Sequence, residues 1–385
     1  LPPDLVRPRR AAPRTRGPAH AVAMAGRQTG VYPLPSPGGW HLLGTALEAV
    51  YDPHRAPPFL LEPGDHVRFE PSEGATPADP APLDLLPDDP ERPALRVLRA
   101  GLLDLIVDAG RFRAGRYGLA RSGPLDARSA ALANQAVGNA FDEPLLEINV
   151  RGPELEALRD VVVAFAGWGV RPERADGPVP TFESFRLRTG QAIRFPPGPH
   201  GARGYLAIAG GLASGRFLES ASVDLRGRIG RPLTDGDVLG LATDRIARPG
   251  FGFQPPQRIV PGDHATLRVA PGPQANEAAL AALTSGPYRV SFGDRMGLRL
   301  HGPPVPGGDV LSEATSLGGI QIASGGDPIV LLHDRGSIGG YAKPAVVLPA
   351  DLPRLAQLRP GDTVRFVRAP SRLRPVDVVD VGRSF

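Results

Sequence analysis

The chain has 385 residues, 41% of them hydrophobic, which is enough to bury more than one core. Forty-four basic residues face forty acidic ones, for a formal charge of +4. The basic residues are scattered singly among only 6% aromatics, a pattern that argues against a nucleic-acid reader. There are no cysteines, so disulfides, thiolate nucleophiles and Cys-ligated metals are excluded. No apolar run reaches the length of a membrane span. The amino terminus, LPPDLVRPRRAAPRTRGP, lacks both a starting Met and the apolar segment of a secretory signal. It reads as the start of a fragment, and the expected location is the cytoplasm. Forty-eight glycines and 46 prolines with no period of three suit many short strands joined by tight turns.

In chain order, residues 1–70 form a first block that ends in EPGDHVRF (62–69). Pro-Gly-Asp is turn chemistry, and the alternating residues after it predict a short strand. Residues 71–94 are rich in Pro, Asp and Glu and read as a linker. A second block runs from 95 to 370. It opens on the strand-like LRVLRAGLLDLIV and continues into ARSGPLDARSAALANQAVGN (120–139), the clearest helix. Ser122 or Asp126 is its expected cap, and Leu125, Ala130, Leu132, Ala133 and Val137 are its expected apolar face. Short β-like runs follow, LLEINV, VVVAFAG and GYLAIAGG among them. A Pro-rich stretch at 246–263 is the expected meeting point of two lobes. The block closes on RPGDTVRF (359–366), the same phrase as before, and related turns occur at TGQAIRF (189–195) and LTDGDVLGL (233–241). Residues 371–385 read as a tail. The predicted fold class is mainly β, with barrel-like closure and few helices.

Lys343 is the only lysine; every other member of the basic Lys/Arg set is arginine. A position that keeps an ammonium in such a chain points to a need for a compact charge. The same residue excludes a phosphate loop of the Gly-Lys-Ser/Thr type, because Pro344 follows it. It also excludes a biotin acceptor lysine between methionines, since the two methionines are Met24 and Met296. Around it, residues 291–343 are punctuated by glycines with charged residues beside them. Arg295 and Arg299 suit forked binding of a carboxylate. Glu313, Asp334, Tyr341 and Lys343 offer acid, base or donor groups, and Gln321 an amide. The competing reading is that these groups only satisfy loops and buried backbone. Histidines are dispersed without zinc-helix spacing, so no metal is expected. No Gly-x-Ser-x-Gly elbow is present.

The segments ARSGPLDARSAALANQAVGN, LEINVRGPELE, GARGYLAIAGG, DRMGLRL, LLHDRGSIGGYAK and ADLPRLAQLRPGDTVRF resemble, in order and spacing, one family. It is known as the 5-oxoprolinase C subunit, allophanate hydrolase subunit 2, or the biotin-dependent carboxyltransferase family. GRQTGVYPLPSPGGW, GTAL, YDP and EPGDHVRF in the first block resemble the carboxyl end of the partner family, the 5-oxoprolinase B subunit (allophanate hydrolase subunit 1). The chain departs from the family at SGPLDA (122–127), where SG-A-M-D-P is usual, and at RGSIGGYAK, where threonines and a proline are usual. Ser337 is the hydroxyl left between Arg335 and Gly340.

The resemblance implies two fused, cyclophilin-like β-barrel modules. It also implies ATP-dependent opening of 5-oxo-L-proline to L-glutamate together with a separate A-type subunit, with ATP at a site belonging to the complex. Two alternatives follow from the same resemblance. One is a carboxyltransferase moving a carboxyl group from carboxybiotin, carried elsewhere, to urea or a similar amide. The other is a regulatory protein that inhibits a sensor histidine kinase. Under the first reading, Arg295 or Arg121 takes the substrate carboxylate. Lys343 and Tyr341 stabilise charge on the amide oxygen. Asp334 or Glu313 acts as base or orienter. Ser122, Asp126, Arg299, Gln321, Gly339 and Gly340 complete the expected substrate-binding set.

Overall fold

A computed structural model describes residues 3–10, 12, 14–254, 263–323 and 325–370. The expected tail at 371–385 and residues 255–262 of the expected lobe boundary lie outside these. The molecule is mainly β, with 37% strand and 9% helix. Its contacts divide it into two units, Leu1–Leu83 with Asp224–Ile229, and Asp84–Val223 with Gly230–Phe385.

The first unit carries a three-stranded antiparallel sheet of Gln28–Val31, Ala21–Ala25 and His41–Thr45, and a strand pair of Arg14–Gly17 with Ser36–Gly38. Tyr51 stacks on Phe59 and donates its hydroxyl to the Gly227 carbonyl at 2.6 Å.

The second unit has two halves. In the first half, a five-stranded sheet is centred on Val161–Gly167, Arg203–Ile208 and Leu145–Asn149, and a six-stranded sheet is centred on Glu154–Ala157 and Pro93–Arg99. Because side chains alternate along a strand, VVVAFAG serves two cores at once. Val161, Val163 and Phe165 pack in the core shared with the six-stranded sheet. Val162, Ala164 and Ala166 pack on the other face, against Ala130, Ala133 and Ala136 of helix Ala127–Ala136. That helix is capped by Asp126, whose carboxylate accepts from Ser129 N at 3.0 Å, so of the two expected caps the structure selects Asp126.

The second half is a closed barrel of seven strands. The order runs His264–Pro271, Thr363–Arg368, Pro287–Gly293, Gly297–His301, Pro328–Leu331, Gly319–Ile322 and Ile338–Val347. The last pairs back onto the first, and Asp309–Ala314 adds to the last strand. Its interior holds Leu267, Val290, Leu298, Val330, Val364 and Phe366 among others.

The repeated phrase is one turn made four times. At Glu62–Asp65, Arg188–Gln191, Thr234–Asp237 and Arg359–Asp362 the last amide bonds the first carbonyl at 2.9–3.2 Å. The last side chain accepts from the first amide at 2.7–2.9 Å. The third residue is a glycine with φ between 78° and 107°, as a type II turn requires. Strands Ala192–Arg194, Val238–Gly240 and Thr363–Arg368 follow three of these turns. After the first turn, the strand expected at 66–69 does not form. Val67 and Phe69 are about half exposed, at 50% and 49%, and no neighbouring strand among the described residues pairs with them. A strand needs a partner for its backbone groups, and the turn alone does not supply one.

Asp104 begins a fully buried strand, Asp104–Val107. One carboxylate oxygen accepts from Gly101 N at 2.6 Å, while the other has no hydrogen-bond partner among the described residues. Burial therefore pushes its pKa up to about 7, against the opposing Gly101 amide. A raised carboxyl pKa means that stability falls as pH rises from the unfolded value toward 7 and then levels off. Replacing Asp104 by Asn should raise Tm by about 4 °C at pH 8 and by less than half of that at pH 5. Thermal unfolding at the two pH values checks this; an equal shift at both would contradict a titrating Asp104.

Candidate functional site

Strand alternation also builds a polar cluster between the two halves of the second unit. Glu147 shares its face of strand Leu145–Asn149 with Leu145, and Tyr205 shares its face of strand Arg203–Ile208 with Ala207. Both faces lie toward helix Ala127–Ala136. Glu147 and Tyr205 are cross-strand partners, and the Tyr205 hydroxyl donates to Glu147 Oε2 at 2.8 Å. The hydroxyl also accepts from Asp126 N at 2.8 Å, and Leu125 N donates to Glu147 Oε2 at 2.9 Å.

From the barrel, Arg295 enters this cluster. Its Nη1 pairs with Glu147, its Nη2 donates to the Gly123 carbonyl at 2.8 Å, and its Nε donates to Asp334 Oδ2 at 2.7 Å. Burial opposes charge on Arg295, but Asp334 and Glu147 outweigh it and hold the guanidinium above its usual pKa. Burial likewise opposes charge on Glu147, and Arg295 and Arg203 reverse that, keeping its carboxyl below the usual range.

Gln357 ties the halves a second time. Its oxygen accepts from Ala202 N and Arg203 N at 3.1 and 3.0 Å, and its nitrogen donates to Asp126 Oδ2 at 2.8 Å. Burial pushes the Asp126 carboxyl up despite the Ser129 and Gln357 hydrogen bonds. His333 is buried beside Asp334, and its Nδ1 has no partner among the described residues. Burial and the nearby Arg295, Arg121, Arg335 and Arg203 hold it well below the usual imidazole pKa, so it is neutral.

The expected site residues thus fall into groups. Arg295 and Asp334 meet, but Arg295 is 5% exposed and its guanidinium is already committed to protein carboxylates. The fork expected to hold a substrate carboxylate is used to join two halves of the fold, and Asp334 orients it. Arg299 does not join this group. It alternates with the buried Leu298 and Leu300 and is exposed on the outer wall of the barrel.

Lys343 and Glu313 form a second group. Lys343 Nζ lies 2.8 Å from Glu313 Oε1 and donates to the Tyr341 carbonyl at 3.1 Å. Gln274, outside the expected stretch, donates to the same Glu313 oxygen at 2.8 Å and accepts from Lys343 N at 2.8 Å. The Lys343 hydrogen bond, then Gln274, hold the Glu313 carboxyl below its usual range. Lys343 is 2% exposed, so its ammonium is spent on Glu313 and a carbonyl rather than presented to solvent. Gly339 pairs with Glu313 across strands, and a Cβ there would fall 2.3 Å from Gln321 Nε2, which places Gln321 beside this group. Gly340 lies in the same strand, Ile338–Val347.

Arg121 and Ser122 form a third group. Arg121 lies 4.0 Å over the Phe112 ring and donates to the Ala109 carbonyl at 3.2 Å. Ser122, at φ 55°, is buried with its hydroxyl unpartnered among the described residues. Sequence reasoning missed Glu147, Arg203, Tyr205 and Gln357. The available signal was a charged or phenolic residue inside an otherwise apolar strand, as in LLEINV and RGYLAI.

Comparison with known proteins places these groups in context. Residues 117–368 match the carboxyltransferase domain, subdomain A and B, and residues 1–61 match the carboxyltransferase domain, subdomain C and D. The chain is 32% identical to the 5-oxoprolinase C subunit of Escherichia coli (strain K12), over 71% of this chain and 91% of that protein. It is 53% identical to the 5-oxoprolinase B subunit of Escherichia coli O157:H7 over 19% of this chain, and spans about a third of that relative's length. Urea amidolyase of Lachancea kluyveri is 30% identical over 71% of this chain and 17% of that protein. The crystal structure of TTHA0988 superposes with a TM-score of 0.92 at 58% identity, covering 95% of this chain and 75% of that one.

Removing one partner of a buried, fully bonded ion pair leaves an uncompensated charge and costs about 3–5 kcal/mol. Arg295→Ala should therefore destabilise the second unit by that order in denaturant unfolding. The loss should be smaller at pH 5 than at pH 8, because Glu147, no longer held below its usual range by Arg295, then takes up a proton more readily. A loss below about 1 kcal/mol at both pH values would contradict the pairing.

Proposed function

The chain belongs to the carboxyltransferase-domain family, and we propose that it is a component of a 5-oxoprolinase-type amidohydrolase, opening the lactam of 5-oxo-L-proline to L-glutamate with ATP hydrolysis. The observation that carries this reading is the order of likenesses in one polypeptide. A segment similar to the 5-oxoprolinase B subunit precedes a long region similar to the 5-oxoprolinase C subunit. The chain accordingly acts with an A-type subunit, and its B-like segment corresponds to about a third of those relatives.

The residues of this chain do not fit a nucleotide triphosphate. Its one lysine is buried against Glu313 and Gln274, and no glycine-rich loop leads into Lys-Ser or Lys-Thr. ATP is therefore assigned to the A-type partner or to a surface completed by it.

What this chain supplies is a shaped amide site. The substrate pairs a carboxylate with a lactam N–H and C=O. Arg121 is the guanidinium of the expected set that stands over an aromatic ring at the surface, and it takes the carboxylate role that Arg295, committed to Glu147 and Asp334, leaves open. The Lys343–Glu313 pair joins strand Asp309–Ala314 to strand Ile338–Val347, which carries Tyr341 and the adjacent glycines.

A second reading has a specific observation in its favour. Urea amidolyase relatives are similar over 71% of this chain. In that reading the same amide chemistry accepts a carboxyl group from a biotin carrier on another chain.

Glutamate release from 5-oxo-L-proline and ATP, by the full chain with its A-type partner, decides between them. Release is expected. Its absence, with ATP-dependent carboxylation of urea in the presence of a biotin carboxylase and carrier, would favour the second reading. In the active complex, Lys343→Met should lower turnover at least tenfold by releasing Glu313; turnover within twofold of the parent would remove that pair from the machinery.

A further inference from the structure

We propose that residues 66–69 are a closing strand whose neighbouring strands come from another polypeptide segment. That segment is the part of a 5-oxoprolinase B-type domain that this chain does not match. The inference goes beyond the proposed activity and concerns how the first unit is completed.

The second unit shows what the repeated phrase does when it has partners. After the turn at Arg359–Asp362, strand Thr363–Arg368 lies between His264–Pro271, to which it is parallel, and Pro287–Gly293, to which it is antiparallel. Val364 sits opposite Ala265 and Tyr288, and Phe366 sits opposite Leu267, all of them buried. Arg365, between them, is exposed. The first unit makes the same turn at Glu62–Asp65 and follows it with the same alternation. Val67 and Phe69 stand where Val364 and Phe366 do, and Arg68 stands where Arg365 does. Apolar side chains on one face and charge on the other make a strand with one face built for a core.

In the first unit that face is open. Val67 and Phe69 are exposed, as are Leu60 and Leu61 just before the turn, and no strand among the described residues pairs with 66–69. Exposed apolar side chains beside an unpaired backbone form a template for strand addition. In the second unit both flanking strands precede the closing strand, starting 99 and 76 residues before Thr363. The same offsets from His66 fall before residue 1. The matched relatives carry the extra polypeptide this calls for. The likeness to the Escherichia coli O157:H7 B subunit takes up 34% of that protein, and the match to TTHA0988 covers 75% of that chain. A second copy of this chain fits the face less well. An antiparallel pair that keeps Val67 and Phe69 on one side sets Arg68 opposite Arg68, a like-charge pair.

Co-expression of the full chain with the unmatched part of the Escherichia coli O157:H7 B subunit tests this, read by hydrogen exchange and by Kd. A one-to-one complex is expected, with amide exchange across 66–69 slowed at least tenfold relative to the chain alone. Val67→Asp and Phe69→Asp should each raise the Kd at least tenfold. Arg68→Asp should change it less than threefold, because Arg68 faces solvent in the strand. All three leave the chain alone folded, since these side chains are exposed in it. Equal effects of the three substitutions would overturn strand pairing. No complex, or exchange across 66–69 as fast as in the chain alone, would overturn the proposal. Concentration-dependent protection of 66–69 in the chain alone would assign the face to a second copy and overturn the partner named here. Each of these results leaves the proposed lactam activity standing.

Discussion

One guanidinium held between two buried carboxylates sets the geometry of the second unit. Arg295 comes from the barrel, Glu147 from the sheet that packs under the helix, and Asp334 from the barrel again. Each charge would be expensive alone in a dry interface, and each is bonded on several sides. Glu147 accepts from Tyr205 and Leu125 as well, and Arg295 also reaches the Gly123 carbonyl. Such a network tolerates little displacement, because any opening strands a buried charge. Gln357 adds a neutral clamp beside it, bonding two backbone amides of one half and the Asp126 carboxylate. The relative placement of sheet and barrel is therefore specified by directional bonds in addition to apolar contact.

Local features of the fold were legible in the sequence because they depend on neighbours along the chain. The alternating burial of VVVAFAG, the Asp126 cap and the four type II turns all follow from residues within a few positions of one another. The strand expected after the first of those turns shows the limit of that logic. Its turn forms from local bonds, but a strand needs partners that no short phrase encodes.

The candidate site was legible only in part, for the same reason. Tyr205 and Glu147 are 58 residues apart, Arg295 and Glu147 148, and Gln357 and Asp126 231. Arginines that looked free to hold a substrate carboxylate differ once partners are assigned. Arg295 is buried in protein pairs, Arg299 faces outward from the barrel, and Arg121 lies across an aromatic ring. Lys343 stood out by composition, and its Glu313 partner belonged to the expected set, but Gln274 lay beyond the stretch that drew notice.

The most direct measurement of that joint is a double-mutant cycle on Arg295→Met and Glu147→Leu, read by denaturant unfolding of the full chain. Strong coupling, above about 1.5 kcal/mol, is expected, with the double variant far less destabilised than the two single losses combined. Additive losses within about 0.5 kcal/mol would contradict the account, because they would mean that the two charges do not depend on each other.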